Sequence, residues 1–148
     1  MNELIKSKRQ VIKFLRYRYR SEQEIRLYLL RKKANLQIIE QIISSFKQSS
    51  LINDRNFTKL WIEDRILKGY GKIRIKKELF DKGIDDVLID KFLGEYSCLY
   101  WQRKIKELLS IKYPKLKKIN SVKEKYKLYN YLLRRGFSQQ EINTVLGE

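Results

Sequence analysis

Arg16-Tyr17-Arg18-Tyr19-Arg20 alternates cation and aromatic, a pattern whose residue types suggest a chemistry directly. An arginine fork can hold two phosphate oxygens, and a tyrosine can stack on a base or cover a sugar. The same residues also suit the end of a helix, where arginines offset the dipole and tyrosines turn inward. The arginines are open to either role, whereas Tyr17 and Tyr19 are expected in the core. Further cations follow along the chain. Arg26, Lys32 and Lys33 come next, then Arg65 at the end of one helix and Lys72, Arg74, Lys76 and Lys77 on the polar face of another. Near the end, Lys123, Lys125 and Lys127 extend a basic surface with Arg134 and Arg135. Together they are candidate contacts for DNA or an acidic partner.

Catalytic constellations are missing from the same inventory. With no His there is neither imidazole catalysis nor a His-ligated metal, and no Gly-rich loop runs into Lys-Ser or Lys-Thr to cradle a nucleotide. Asp85-Asp86 suit a helix N-terminus, which favours negative charge, and the adjacent Glu63-Asp64 cannot face each other on a helix. Neither active site, metal nor cofactor is expected. The single Cys98 rules out an internal disulfide, fits a reducing compartment and is expected as a small buried hydrophobe. No stretch approaches the ~18 apolar residues of a membrane span. A soluble, cytoplasmic monomer is expected.

Thirty-four basic residues against seventeen acidic ones give a net charge of +17, which favours a polyanionic partner. Residues 1–50 carry twelve basic and four acidic side chains, residues 51–100 ten and nine, residues 101–148 twelve and four. A nearly neutral middle lies between two basic arms. Asp81, Asp85, Asp86 and Asp90 would repel a phosphate backbone, so the middle is expected to meet protein while the arms supply electrostatic attraction. Charge reversal at Arg74 and Lys77 should then weaken a protein interaction more than binding to bare DNA.

The elements that position these residues repeat. Leu29, Leu79 and Leu132 are equivalent, about fifty residues apart; Lys33, Gly83 and Gly136 fall at one turn position. Asn35, Asp85 and Ser138 follow as helix N-caps, then Ile39, Ile89 and Ile142. Ser21-Glu22-Gln23-Glu24 and Ser138-Gln139-Gln140-Glu141 are capping boxes. Ile39, Ile42, Ile43 and Phe46 keep the spacing of one buried helical stripe, and Val11, Ile12, Leu15 and Tyr19 are expected to give the first helix its apolar face. Pro114 stops a helix before a basic connection over Lys115–Asn120. The pattern predicts nine helices and no strand, an all-α chain of three tandem three-helix repeats (1–52, 53–97 and 98–148) forming an elongated, curved rod.

With these residues in view, the chain resembles the RecX family of recombination regulators. RYRYRSEQEIRLYLLRKKA, LINDRNFTKLWIEDRILKGYGKIRIKKELFDKGI and YLLRRGFSQQEI match four family segments in order across nearly the whole chain. These are an R-x-R-S-x-x-E-L opening, an L-[IL]-[ND]-D-x-x-[FY] junction, a G-x-x-R-I-x-x-E-L-x-x-K-G-I centre and an R-R-G-F-x-x-x-x-I ending. Ile25 stands where Leu is usual, Lys33 where the turn glycine is, and Thr58 where Ala is common. The resemblance implies a non-enzymatic protein that binds the RecA filament on single- or double-stranded DNA. It would damp ATP hydrolysis and strand exchange, and so regulate DNA repair and recombination in the SOS response. A general DNA-binding architectural protein with no recombinase partner is the alternative.

Overall fold

The computed structural model describes residues 2–114 and 121–147. Those residues form nine α-helices and no strand: α1 (Glu3–Leu15), α2 (Glu22–Arg31), α3 (Leu36–Gln48), α4 (Asp54–Leu67), α5 (Lys72–Asp81), α6 (Asp86–Leu93), α7 (Cys98–Lys112), α8 (Val122–Arg135) and α9 (Gln139–Leu146). They pack as successive triplets. In the first two, each helix touches the other two; in the last, α7 and α8 both lie on α9.

Local chemistry sets the repeat. Asn35, Asp85 and Ser138 accept from amides in the first turns of α3, α6 and α9. Ser21 and Ser138 form reciprocal capping boxes with Glu24 and Glu141. Before each cap, Lys33, Gly83 and Gly136 take left-handed backbone, with φ of 61°, 79° and 97°. One hydrogen bond closes all three turns: the amides of Ala34, Ile84 and Phe137 donate to the carbonyls of Leu29, Leu79 and Leu132. That six-to-one bond is the Schellman closure, and it satisfies a carbonyl the ending helix would leave orphaned. Lys33 takes this conformation with a Cβ in place, at a cost of about 1 kcal/mol or more.

The three units are unequally joined. Val11, Ile25, Leu29, Ile39, Ile42, Ile43, Phe46 and Ile52 make a core confined to α1–α3 and the connection after them. A second core runs without a break from Ile75, Leu79 and Ile89 into Trp101, Ile105, Leu132, Phe137 and Ile142. The second and third units therefore bury apolar surface as one body.

Several sequence expectations need correction. α1 ends at Leu15, with Arg16 as its C-cap, so helical spacing does not reach Tyr19. Tyr17 and Tyr19 are 76% and 65% exposed, and Ile12 also faces outward; Val11, Ser7 and the half-buried Phe14 and Leu15 line the inner side. Phe14 stacks on Tyr28, with centroids 4.2 Å apart. Cys98 is exposed, because it opens α7 directly after the Ser97 cap. The expected basic connection Lys115–Asn120 lies outside the described residues.

Candidate functional site

Five of the expected binding residues, Arg18, Arg20, Arg65, Arg74 and Arg135, gather where one unit meets the next, and both meetings use equivalent positions. The start of the middle helix in one unit sits on the turn that follows the middle helix of the next. At the first junction Ser21, fully buried, donates from Oγ to the Lys82 carbonyl at 2.7 Å. The Gln23 side chain lies over Gly83, where an added Cβ would come within 2.0 Å of it. At the second junction the Gly71 amide donates to the Arg135 carbonyl at 2.8 Å and the Ile73 amide to the Gly136 carbonyl at 2.9 Å. A Cβ on Gly71 would stand 2.6 Å from the Gly136 backbone, so only glycine permits this approach. Ser21 and Gly71, Lys82 and Arg135, and Gly83 and Gly136 are repeat equivalents.

The first junction is ionic. Glu24 accepts from the Ser21 amide and pairs with Arg18, with Arg20 at 3.8 Å and with Lys82 at 3.6 Å. Burial pushes the Glu24 carboxyl up. The hydrogen bonds from Arg18 and Ser21 and the charges of Arg18 and Lys82 outweigh this, so its pKa lies below the ordinary value. Nearby, Asp54 accepts from the Glu22 amide at 2.8 Å, and its burial, the largest influence, raises its pKa. The Lys82 ammonium and the Arg18 guanidinium lie 4.8 and 5.4 Å from the Trp61 ring centroid. A cleft of about 440 Å³ opens beside them, lined by Arg18, Tyr19, Leu60, Trp61 and Arg65 among others.

The second junction gathers its cations around an aromatic ring, with a carboxylate beside it. Arg74, Arg135 and Arg65 stand 3.8, 4.1 and 4.3 Å from the Tyr70 centroid. Arg135 also donates to the carbonyls of Gly69 and Lys68 at the end of α4. Arg65 holds Glu78 through two hydrogen bonds of 2.9 and 2.8 Å, which the Trp61 indole joins at 3.2 Å and Arg74 at 3.4 Å. Arg65 lies 5.4 Å from Trp61, so a ladder of cations and rings runs from Arg18 through Trp61, Arg65 and Tyr70 to Arg135, across both junctions.

This sorts the fifteen candidate cations into three groups. Arg18, Arg20, Arg65, Arg74 and Arg135 are engaged beside the junctions, Arg18 and Arg135 by contacts that cross them. Arg26 is taken by Glu22 and Glu40, Lys76 by Asp90 at 3.0 Å, and Lys32 stands 5.6 Å from the Tyr28 centroid. Arg16, Lys33, Lys72, Lys77, Lys123, Lys127 and Arg134 project as exposed side chains. Trp61, Tyr70 and Glu78 were not among the candidates. Spacing of four residues sets Trp61 beside Arg65, Tyr70 beside Arg74 and Arg74 beside Glu78, and that local signal could have marked all three.

The three helix triplets have counterparts elsewhere. Residues 8–45, 53–93 and 100–146 match the models of the first, second and third three-helix domains of RecX. The chain belongs to the RecX family. A "Regulatory protein RecX" of Clostridium acetobutylicum is 35% identical over 96% of this chain and 68% of its own length. One of Haemophilus influenzae is 30% identical over 93% of this chain and 91% of its own. The chain spans only half of the Oceanobacillus iheyensis relative, at 31% identity. The crystal structure of RecX from Lactobacillus salivarius superposes with a TM-score of 0.80 at 25% identity, covering 98% of this chain and 95% of that one. A second RecX crystal structure, 20% identical, has the same fold with a TM-score of 0.79. Curated relatives of this RecX chain are thus named as regulatory proteins, and no helix among its described residues is long and apolar enough to cross a membrane.

Proposed function

We propose that this RecX chain is a regulator of the RecA filament, acting by binding across neighbouring protomers and the DNA they coat, without catalysis of its own. Family membership carries the reading. The tandem array supports it, because three linked units can engage several protomers at once and gain affinity from that linkage. The projecting cations add attraction to a polyanionic filament. Among the described residues no group of three His, Cys, Asp or Glu side chains is placed to hold a metal. The chain would work in the cytoplasm as a monomer, damping ATP hydrolysis and strand exchange.

The test is ATP hydrolysis by the host's RecA, pre-assembled on single-stranded DNA, as the protein is titrated in with bare-DNA competitor. A fall in rate at protein far below RecA, surviving the competitor, is expected. A rate that changes only when DNA is stripped away would instead establish a basic architectural protein, the reading that the +17 charge alone favours.

A further inference from the structure

The outward faces of α5 and α8 occupy equivalent places in their units and differ in chemistry. On α8, Lys123, Lys127, Asn130 and Arg134 follow the i, i+4, i+7, i+11 spacing of one helical stripe. Leu128 and Leu132, the buried residues of this helix, lie on the opposite side. The three cations are exposed and make no ion pair among the described residues. Tyr126, 68% exposed, flanks the stripe. The only acid on the helix is Glu124 in its first turn, next to the Ser121 cap. The α5 face shares exposed cations, Lys72 and Lys77, but is otherwise different. Lys76 is paired with Asp90, Arg74 is drawn onto Glu78, and Ile73 and Phe80, 57% and 63% exposed, interrupt the cations.

We propose that α8 is the single-stranded nucleic acid contact of this chain, with Lys123, Lys127 and Arg134 on successive phosphates and Tyr126 stacked on a base. The stripe extends over about 16 Å at 1.5 Å per residue, room for several phosphates of one strand. An unpaired row of cations with no aliphatic residue inside it suits a continuous line of phosphates, which presents charge without apolar surface. An exposed tyrosine beside the row offers a flat face to any base, the arrangement by which single strands are held without sequence preference. Arg134 also projects from the last turn of α8, just before the left-handed Gly136, while Arg135 turns back onto the α4 carbonyls. Of the adjacent pair, only Arg134 is without a side-chain hydrogen bond or ion pair among the described residues.

This assignment deepens the filament reading and rests on it only for the presence of DNA. The test therefore uses a fluorescent oligothymidylate without recombinase. Anisotropy titrations from ~50 to ~200 mM salt give the slope of log affinity against log salt for the full chain. For the triple variant Lys123→Gln/Lys127→Gln/Arg134→Gln the slope should fall by about two, since each phosphate contact on a single strand contributes roughly 0.7. Tyr126→Ala should lower affinity about tenfold or more at every salt concentration and leave the slope unchanged. A matched pair, Lys72→Gln/Lys77→Gln on α5, should leave the slope within error. All these residues are exposed, and a circular dichroism melt unchanged from the parent shows that each variant is folded. An unaltered slope in the triple variant overturns the proposal, as does a loss at least as large in the α5 pair. The RecA hydrolysis assay on the same variants separates the two ideas. Failure of the parent there, with the slope change intact, sinks the filament reading and leaves the α8 site standing.

Discussion

Replacing Ser21 by Ala removes more than a helix cap, and Ser138→Ala supplies the control. Both serines accept from an amide in their own first turn and belong to a capping box, so either change costs about 1 kcal/mol on that account. Ser21 alone also donates across the first junction, to the Lys82 carbonyl at 2.7 Å, from a fully buried position. Alanine there leaves that carbonyl without its partner, at a cost of about 1–3 kcal/mol. Ser21→Ala should therefore destabilise by about 2–4 kcal/mol and Ser138→Ala by about 1 kcal/mol. The loss should also be local. The core of α1–α3 is separate from the one shared by the other units, so weakening the joint should let the first unit open at lower denaturant. The two tryptophans report on different places: Trp61 lies against Arg18 and Lys82 at the joint, and Trp101 is buried in the shared core. Urea unfolding of Trp61→Phe and Trp101→Phe backgrounds separates the signals. In Ser21→Ala the Trp61 transition should precede that of Trp101, while in Ser138→Ala they should move together. Equal losses in the two serine variants, with coincident transitions, would refute the idea that this hydrogen bond couples the units.

Lys33→Gly should raise stability by a few tenths to about 1 kcal/mol, read as a higher melting temperature. Relief of left-handed strain exceeds the extra freedom glycine gives the unfolded chain. The first junction should also loosen in acid. The Glu24 pKa is depressed on folding, so its contribution is present above the ordinary value near 4.5 and is lost as pH falls through the folded value. Asp54 acts in the opposite sense, since its folded pKa is raised and protonation relieves its burial. Trp61 fluorescence should consequently shift as pH falls below about 4.5, and Glu24→Gln should flatten that response. A titration curve identical in parent and variant would remove Glu24 from the account.

The helices, caps and turns were readable in the sequence because they are local. An N-cap such as Asn35 and a turn residue such as Gly83 act on amides within a few positions, and repetition at about fifty residues marked them three times. The error at Tyr17 and Tyr19 came from the same reasoning carried one turn too far, since the chain leaves the helix at Arg16 and the spacing lapses there. Cys98 was misplaced for the opposite reason. Burial is usual for the residue type, but the first position of a helix follows its own geometry. Nothing local could show which turn receives which helix start. Glu24 was visible as half of a capping box and not as the carboxylate that gathers Arg18, Arg20 and Lys82, because Lys82 lies fifty-eight residues away. Arg65 and Arg135 looked like a binding surface for a similar reason: Glu78 and the carbonyls after α4 reach them only in the fold, whereas Arg74 had Tyr70 and Glu78 within four residues on either side.

The charge count of the middle unit takes on a different meaning once these partners are known. Ten basic and nine acidic residues suggested a face of mixed charge, yet part of the acid is consumed inside the molecule. Glu78 is held by Arg65 and Arg74, and Asp90 by Lys76. What α5 presents outward is Lys72 and Lys77 beside exposed Ile73 and Phe80. Phosphates would satisfy the lysines and leave both apolar side chains in water. A folded protein with an acidic rim around an apolar patch would satisfy all four, and burying a residue like Phe80 contributes about 1.5–3 kcal/mol. Arg74 is the wrong residue with which to probe the expectation that the middle unit meets protein: set over Tyr70 and pressed against Gly136, it cannot change without disturbing the second junction. Lys77 and Phe80 are free of that burden, which makes them the side chains through which a protein contact would be felt.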